Sequence, residues 1–133
     1  FVPCYGMAEC SLAVSFSQLG QGVDVDHVNV DALATENKAL PIHPTQGNGT
    51  DVTSKFTNCG APLPGFEVEI RDEQGRVLPE RHCGTLFVRG PSVMSGYFGD
   101  LKATRKVLSP DGWLNTGDLA YRAVGQPKPL YSR

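Results

Sequence analysis

No apolar run in this sequence approaches the ~20 residues that a membrane-spanning helix requires, and the first residues hold no basic stretch leading into an apolar core. Neither an integral membrane protein nor a secretory leader is expected, and a cytoplasmic location follows. Charge of one sign is also scarce. Twelve basic and 14 acidic residues leave a net charge of -2 with no run of either sign, which disfavours nucleic acid or an anionic membrane as a partner. Cysteine is sparse: Cys4, Cys10, Cys59 and Cys83 form no close C-x-x-C pair of the zinc-site kind, and in a cytoplasmic setting reduced structural thiols are expected. His82 and Cys83 are adjacent, so on an extended chain they point to opposite faces and make poor joint ligands. His27 and His43 sit in polar, loop-like sequence, with no nucleophile or orienting carboxylate paired to them. Internal repeats and low-complexity tracts are absent. No initiating methionine precedes Phe1-Val2-Pro3, so an origin inside a longer protein is expected.

What is present suffices for one modest core. The chain has 133 residues, 40% of them hydrophobic and 8% aromatic, which is one domain or part of one. Phe1 to Tyr5 reads as the end of a strand that delivers Tyr5 to a site, with Gly6 allowing a sharp turn beyond it. Ser11 to Phe16 reads as a second extended segment. From about Gln21 to Thr57, Asp, Asn, Thr and Gly accumulate, and Gln46 to Asp51 is strongly turn-forming. Val23, Val25, Val28, Val30 and Leu33 offer strand pieces there, but composition favours a tolerated surface insertion.

Regular structure is expected again after Gly65. Phe66, Val68 and Ile70 alternate with charged residues, the pattern of a half-buried strand. A turn over Asp72 to Gly75 then lets Arg76-Val77-Leu78 pair back, and Thr85 to Arg89 is a further strand. Asp100 can cap a short helix running to about Leu108, with Pro110 preventing its continuation. Strands separated by turns, with one short helix, suggest a small twisted sheet or barrel.

Two hexapeptides carry chemistry. In Cys4-Tyr5-Gly6-Met7-Ala8-Glu9, an aromatic, a glycine and a carboxylate can hold a nucleotide and its metal, and Trp113 to Asp118 adds a second carboxylate far downstream. Tyr5 offers a flat face for adenine, a contact worth about 1 to 3 kcal/mol per base in nucleic-acid systems. Gly6 and Met7 would let the backbone run close to the nucleotide. Glu9 is a candidate ligand for Mg2+, which takes few carboxylates and completes its shell with phosphate and water. Asp118 has two oxygens that can accept from the ribose hydroxyls of ATP. Each residue has a plainer reading: a core tyrosine with its hydroxyl satisfied locally, a solvated glutamate, an aspartate in a Gly-Asp turn.

Taken in order, these motifs resemble the adenylate-forming ligases. Tyr5 to Glu9 is similar to the family's Tyr-Gly-x-Thr/Ala-Glu signature and Thr116-Gly117-Asp118 to its Thr-Gly-Asp signature. Gly84 to Gly90, followed by Ser95-Gly96-Tyr97-Phe98, resembles the Gly-Glu-Leu-x-Val-x-Gly and Gly-Tyr stretch between them. The resemblance implies an α+β, β-rich fold: a distorted, barrel-like subdomain and an adjoining strand from the family's N-terminal domain. It divides the chain into a partial AMP-binding domain over 1–122 (nucleotide-site strand and loop 1–20, polar insertion 21–57, β-rich subdomain 58–122) and a divergent tail over 123–133. Ala8, where threonine is commoner, together with the polar insertion, resembles the fatty-acyl-AMP ligase branch. In that branch the insertion is thought to hinder the domain rotation that thioester formation with coenzyme A requires, which implies a fatty acid substrate and an acyl carrier protein as acceptor. An acyl-CoA synthetase is the alternative, and a stand-alone β-rich interaction module a third reading from another class. The family's phosphate loop and catalytic lysine have no counterpart in these residues, so no catalytic residue is assigned and the isolated chain is expected to be inactive.

Overall fold

A computed structural model describes residues 1–42, 52–125 and 129–132. A four-stranded antiparallel sheet organises them, in the order β6 (Glu67–Arg71), β7 (Gly84–Arg89), β8 (Leu114–Arg122) and β9 (Leu130–Ser132). A second small sheet joins β1 (Cys4–Tyr5), β2 (Ser15–Phe16) and β5 (Ala61–Pro62). A third pairs β3 (Val25–Asn29) with β4 (Thr53–Thr57), and α1 (Val30–Glu36) follows β3 directly. The remaining helix is α2 (Leu101–Val107). The curled, partly closed main sheet with its added strands is the expected α+β, β-rich architecture.

The alternation read over residues 66–70 is realised in β6, where Val68 and Ile70 are buried and Glu67 is exposed. The turn over Asp72 to Gly75 forms, the Asp72 carboxylate accepting from the amides of Gln74 and Arg76, and Val77 bridges back to Arg71. Asp100 caps α2, its carboxylate accepting from the Ala103 amide at 2.8 Å.

Both faces of the main sheet are covered at its β8–β9 end. Side chains alternate across a strand, so Ala120 and Leu130 enter a core with Val14, Cys10, Ile70, Leu86, Val88 and Tyr5, while Tyr121 and Tyr131 enter another with Val28, Leu33, Ala39 and Cys83. The second core takes in residues of the polar stretch, among them Val28 and Leu33. Val25 and Val28 lie in a strand and Val30 and Leu33 in a helix, Val23 lies outside both, and Val28 is fully buried. Asn29 caps α1 by accepting from the Ala32 amide at 2.9 Å, so polar residues that read as loop-forming serve as a cap. His43 and the turn-forming Gln46 to Asp51 lie outside the described residues.

One other expectation changes. Only Ser15–Phe16 of the segment from Ser11 is strand, because Ser11 and Leu12 take positive φ values of 55° and 99° as the chain curls back after a 3-10 turn at Ala8–Cys10. In the tail, Leu130–Ser132 continues the sheet, with Leu130 buried and Tyr131 stacked on Tyr121 at 5.0 Å. Among the described residues, no helix is long and apolar enough to cross a membrane.

Candidate active site

The Thr-Gly-Asp motif is a bulge in β8. Opposite it, Thr85 pairs with Leu119 and Phe87 with Asn115, so a single residue of β7, Leu86, faces Thr116, Gly117 and Asp118. Extra residues in one strand bend it and redirect side chains, as is common beside functional sites. Thr116 fastens the bulge, its Oγ1 donating to the Leu86 carbonyl at 2.9 Å and accepting from the Asp118 amide at 3.1 Å. Gly117 takes a φ of 76°, where a side chain would be strained. Asp118 is thereby turned out of the ladder and exposed.

Tyr5 meets it there. Its hydroxyl donates to Asp118 Oδ2 at 2.6 Å, joining the two sequence motifs directly. The ring belongs to the main core and is only 8% exposed. Burial, and the carboxylate that accepts its hydrogen bond, hold the phenol well above the ordinary tyrosine range, so it stays a donor. Gly6 serves a different need from the turn expected of it: its φ is not positive, but a Cβ there would stand 1.5 Å from the Leu12 carbonyl oxygen. The Met7 carbonyl accepts from the amides of Cys10 and Leu12, shaping the 3-10 turn, and its sulfur lies 3.9 Å from the Tyr5 hydroxyl.

Glu9, half-buried on that turn, is braced from a distant loop. Tyr97 Oη donates to Glu9 Oε1 at 3.0 Å, and the Met94 amide donates to the Glu9 carbonyl at 2.7 Å. Ser92 Oγ adds a bond to the Cys10 carbonyl at 2.8 Å. Tyr97 in turn is fixed through its amide, which donates to Thr104 Oγ1 of α2. These bracing residues carried no role in the sequence reading. Tyr97 was visible only as part of a Gly-Tyr motif, while the Ser92 hydroxyl and the Met94 amide grip carbonyls of the turn, contacts that no sequence motif announces.

The structure therefore joins Tyr5 to Asp118 and, more loosely, to Met7, whereas Glu9 belongs to a neighbouring cluster with Tyr97. Neither carboxylate forms an ion pair among the described residues. Cavities of about 280 to 630 Å³ among the described residues lie elsewhere and are not lined by Tyr5, Glu9 or Asp118. The donor set nonetheless suits the expected ligands. Glu9 Oε2 accepts no bond from a described residue. That fits Mg2+, which is held by one or two carboxylates and otherwise by phosphate and water. Asp118 Oδ1 is likewise uncommitted and can accept from hydroxyls.

Comparison with known proteins places the chain in a family. The family model of the AMP-binding enzymes matches residues 1–98. A protein of Caulobacter vibrioides (strain NA1000 / CB15N), provisionally named an acyl-CoA synthetase, is 42% identical over 126 residues, covering 95% of this chain and 21% of that protein. A structure from work on fatty acyl-adenylate ligases of E. coli and L. pneumophila superposes with a TM-score of 0.87 at 44% identity, over 100% of this chain and 22% of that one. The adenylation domain of a keto acid-selecting NRPS module, bound to keto acyl adenylate, gives 0.79 at 32% identity, over 98% and 24%. The chain thus spans about a fifth of the length of the curated relatives it matches. These matches set aside the reading of its motifs as accidents in a stand-alone interaction module.

Proposed function

The chain belongs to the AMP-binding enzyme family, and from that premise we propose that it supplies part of the nucleotide site of an adenylate-forming ligase, which activates a fatty acid with ATP to acyl-adenylate and pyrophosphate. The observation that carries this reading is the 2.6 Å bond between Tyr5 and Asp118, which unites two motifs 113 residues apart. An isolated sequence match would not require such a bond.

The chemistry brings together two anions, the attacking carboxylate and the α-phosphate. A bound Mg2+ supplies charge that lowers their repulsion. Glu9 would hold that cation through Oε2, the oxygen free of Tyr97. Asp118 would accept from the ribose hydroxyls, its carboxylate oriented by Tyr5. Tyr5 itself offers the nucleotide little ring surface in this chain, so its main contribution is to fix Asp118, with adenine resting on the exposed remainder. Gly6 and Met7 would line the approach. Ala8 has no hydroxyl for a phosphate oxygen, so a bond of about 1.5 to 3 kcal/mol to a charged group must come from another donor.

The acceptor we favour is an acyl carrier protein, supported by the Tyr5 to Glu9 motif and the likeness to a fatty acyl-adenylate ligase structure. Coenzyme A is the second reading, supported by the provisional name of the Caulobacter vibrioides relative. Fatty-acid-dependent pyrophosphate release, measured on the full-length protein, tests the first half-reaction. Glu9→Gln and Asp118→Ala should each impair it, and unchanged release in both would remove those assignments. Rapid acyl-CoA production would replace the carrier protein by coenzyme A.

A further inference from the structure

Glu9 does not stand alone on its turn. Of its two carboxylate oxygens, Oε1 is engaged by Tyr97 Oη at 3.0 Å and Oε2 by no described residue. The main chain that carries the exposed Tyr97 ring is anchored. Its amide donates to Thr104 Oγ1 at 2.9 Å, its carbonyl accepts from the Asp100 amide at 3.2 Å, and both partners sit in the capped first turn of α2. Gly96 lets the loop pass this close, since a Cβ there would lie 2.9 Å from the Thr104 side chain. On the other side, the Glu9 main chain is held by the Met94 amide. A phenol whose backbone is tied to α2 thus occupies one oxygen of a carboxylate whose own backbone is tied to the same loop.

That occupancy has a chemical consequence for a cation. Mg2+ demands near-ideal octahedral geometry and takes carboxylates one oxygen at a time, while the larger Ca2+ accepts chelation by both oxygens of a carboxylate. Groups that hold a metal ligand in one orientation govern how the ligand meets the metal. We propose that Tyr97 is a specificity-determining positioning residue, which keeps Glu9 a one-oxygen ligand and so favours Mg2+ over Ca2+ at the nucleotide site. The inference rests on the assignment of Glu9 as the metal ligand made above.

Calorimetric titration of the full-length protein with MgATP and with CaATP, without acid substrate, tests it. The wild type should bind MgATP more tightly than CaATP. Tyr97→Phe keeps the ring and frees Oε1, and should narrow that preference by about tenfold, the lower end of what loss of a ligand-orienting group costs. A merely structural role for Tyr97 would weaken both complexes alike, and an equal fall or an unchanged ratio would overturn the proposal. Glu9→Gln separates the two layers of the argument. If it weakens MgATP while Tyr97→Phe leaves the ratio intact, only the selectivity role is lost; if it leaves MgATP binding unchanged, the metal assignment falls as well.

Discussion

Tyr121 and Tyr131 lie face to face, their ring centroids 5.0 Å apart and their planes 4° from parallel. This stack fastens β9 to its neighbour β8 on one face of the sheet. Asp26, from β3, accepts from the Tyr121 hydroxyl at 2.7 Å and is paired with Arg81, so three distant segments meet at one phenol. Removing the second ring by Tyr131→Ala should destabilise the chain by about 3 to 5 kcal/mol, as for other buried aromatics. Denaturant melts of the two proteins measure the loss, and a difference below about 1 kcal/mol would show the stack to be incidental.

The same tyrosines set a pH limit. Burial first, and then nearby carboxylates, push the Tyr131 phenol up to about 12 and raise Tyr5 and Tyr121 further in the same direction. An acid whose ionisation is suppressed by folding contributes stability that is complete below its unfolded value, near 10, and is lost as pH climbs toward the folded one. Melting midpoints should accordingly hold steady from neutrality to about pH 9 and fall above pH 10. Tyr131→Phe should soften the decline. A midpoint that rises above pH 10 would contradict the sign.

Two glycines should respond differently to alanine. At Gly117 nothing lies within 4 Å of an added Cβ, so Gly117→Ala meets only the left-handed backbone penalty of roughly 1 to 2 kcal/mol. At Gly6 the new carbon would stand 1.5 Å from the Leu12 oxygen, which forces the Tyr5 to Leu12 curl apart. Gly6→Ala should therefore be the more damaging of the two in melts of each variant. Equal losses would contradict the close approach.

Tyr5→Phe tests the bond between the motifs. A hydrogen bond to a charged group contributes about 1.5 to 3 kcal/mol, so loss of the hydroxyl should lower kcat/KM for ATP by about tenfold to a hundredfold in pyrophosphate release by the full-length protein. Tyr5→Phe added to Asp118→Ala should cost little beyond Asp118→Ala alone, because the bond it removes is already gone. Additive losses would mean that the residues act separately.

Local pattern made part of this structure legible in advance. β6 was readable because Val68 and Ile70 alternate with charge, and α2 because Asp100 precedes it as a cap. Val28, Leu33 and Ala39 gave no such signal. Their burial depends on Tyr121 and Tyr131, some ninety residues onward, and a three-residue strand such as β9 is too short to show a period. In the site, motif spacing pointed to Tyr5, Glu9 and Asp118, yet the bulge that turns Asp118 outward is a matter of register between β7 and β8. The grip of Tyr97 on Glu9 spans 88 residues, and its only trace in the sequence was a Gly-Tyr pair.

Two and three residues beyond Asp118, strand β8 places Ala120 in one core and Tyr121 in the other. A slip of one position would exchange them, driving a phenol into an aliphatic slot and leaving a methyl group where an aromatic stack should be. The ladder is thus keyed at that end like a lock with two unlike wards, and the height at which the exposed carboxylate stands over the sheet is decided by residues that never approach it.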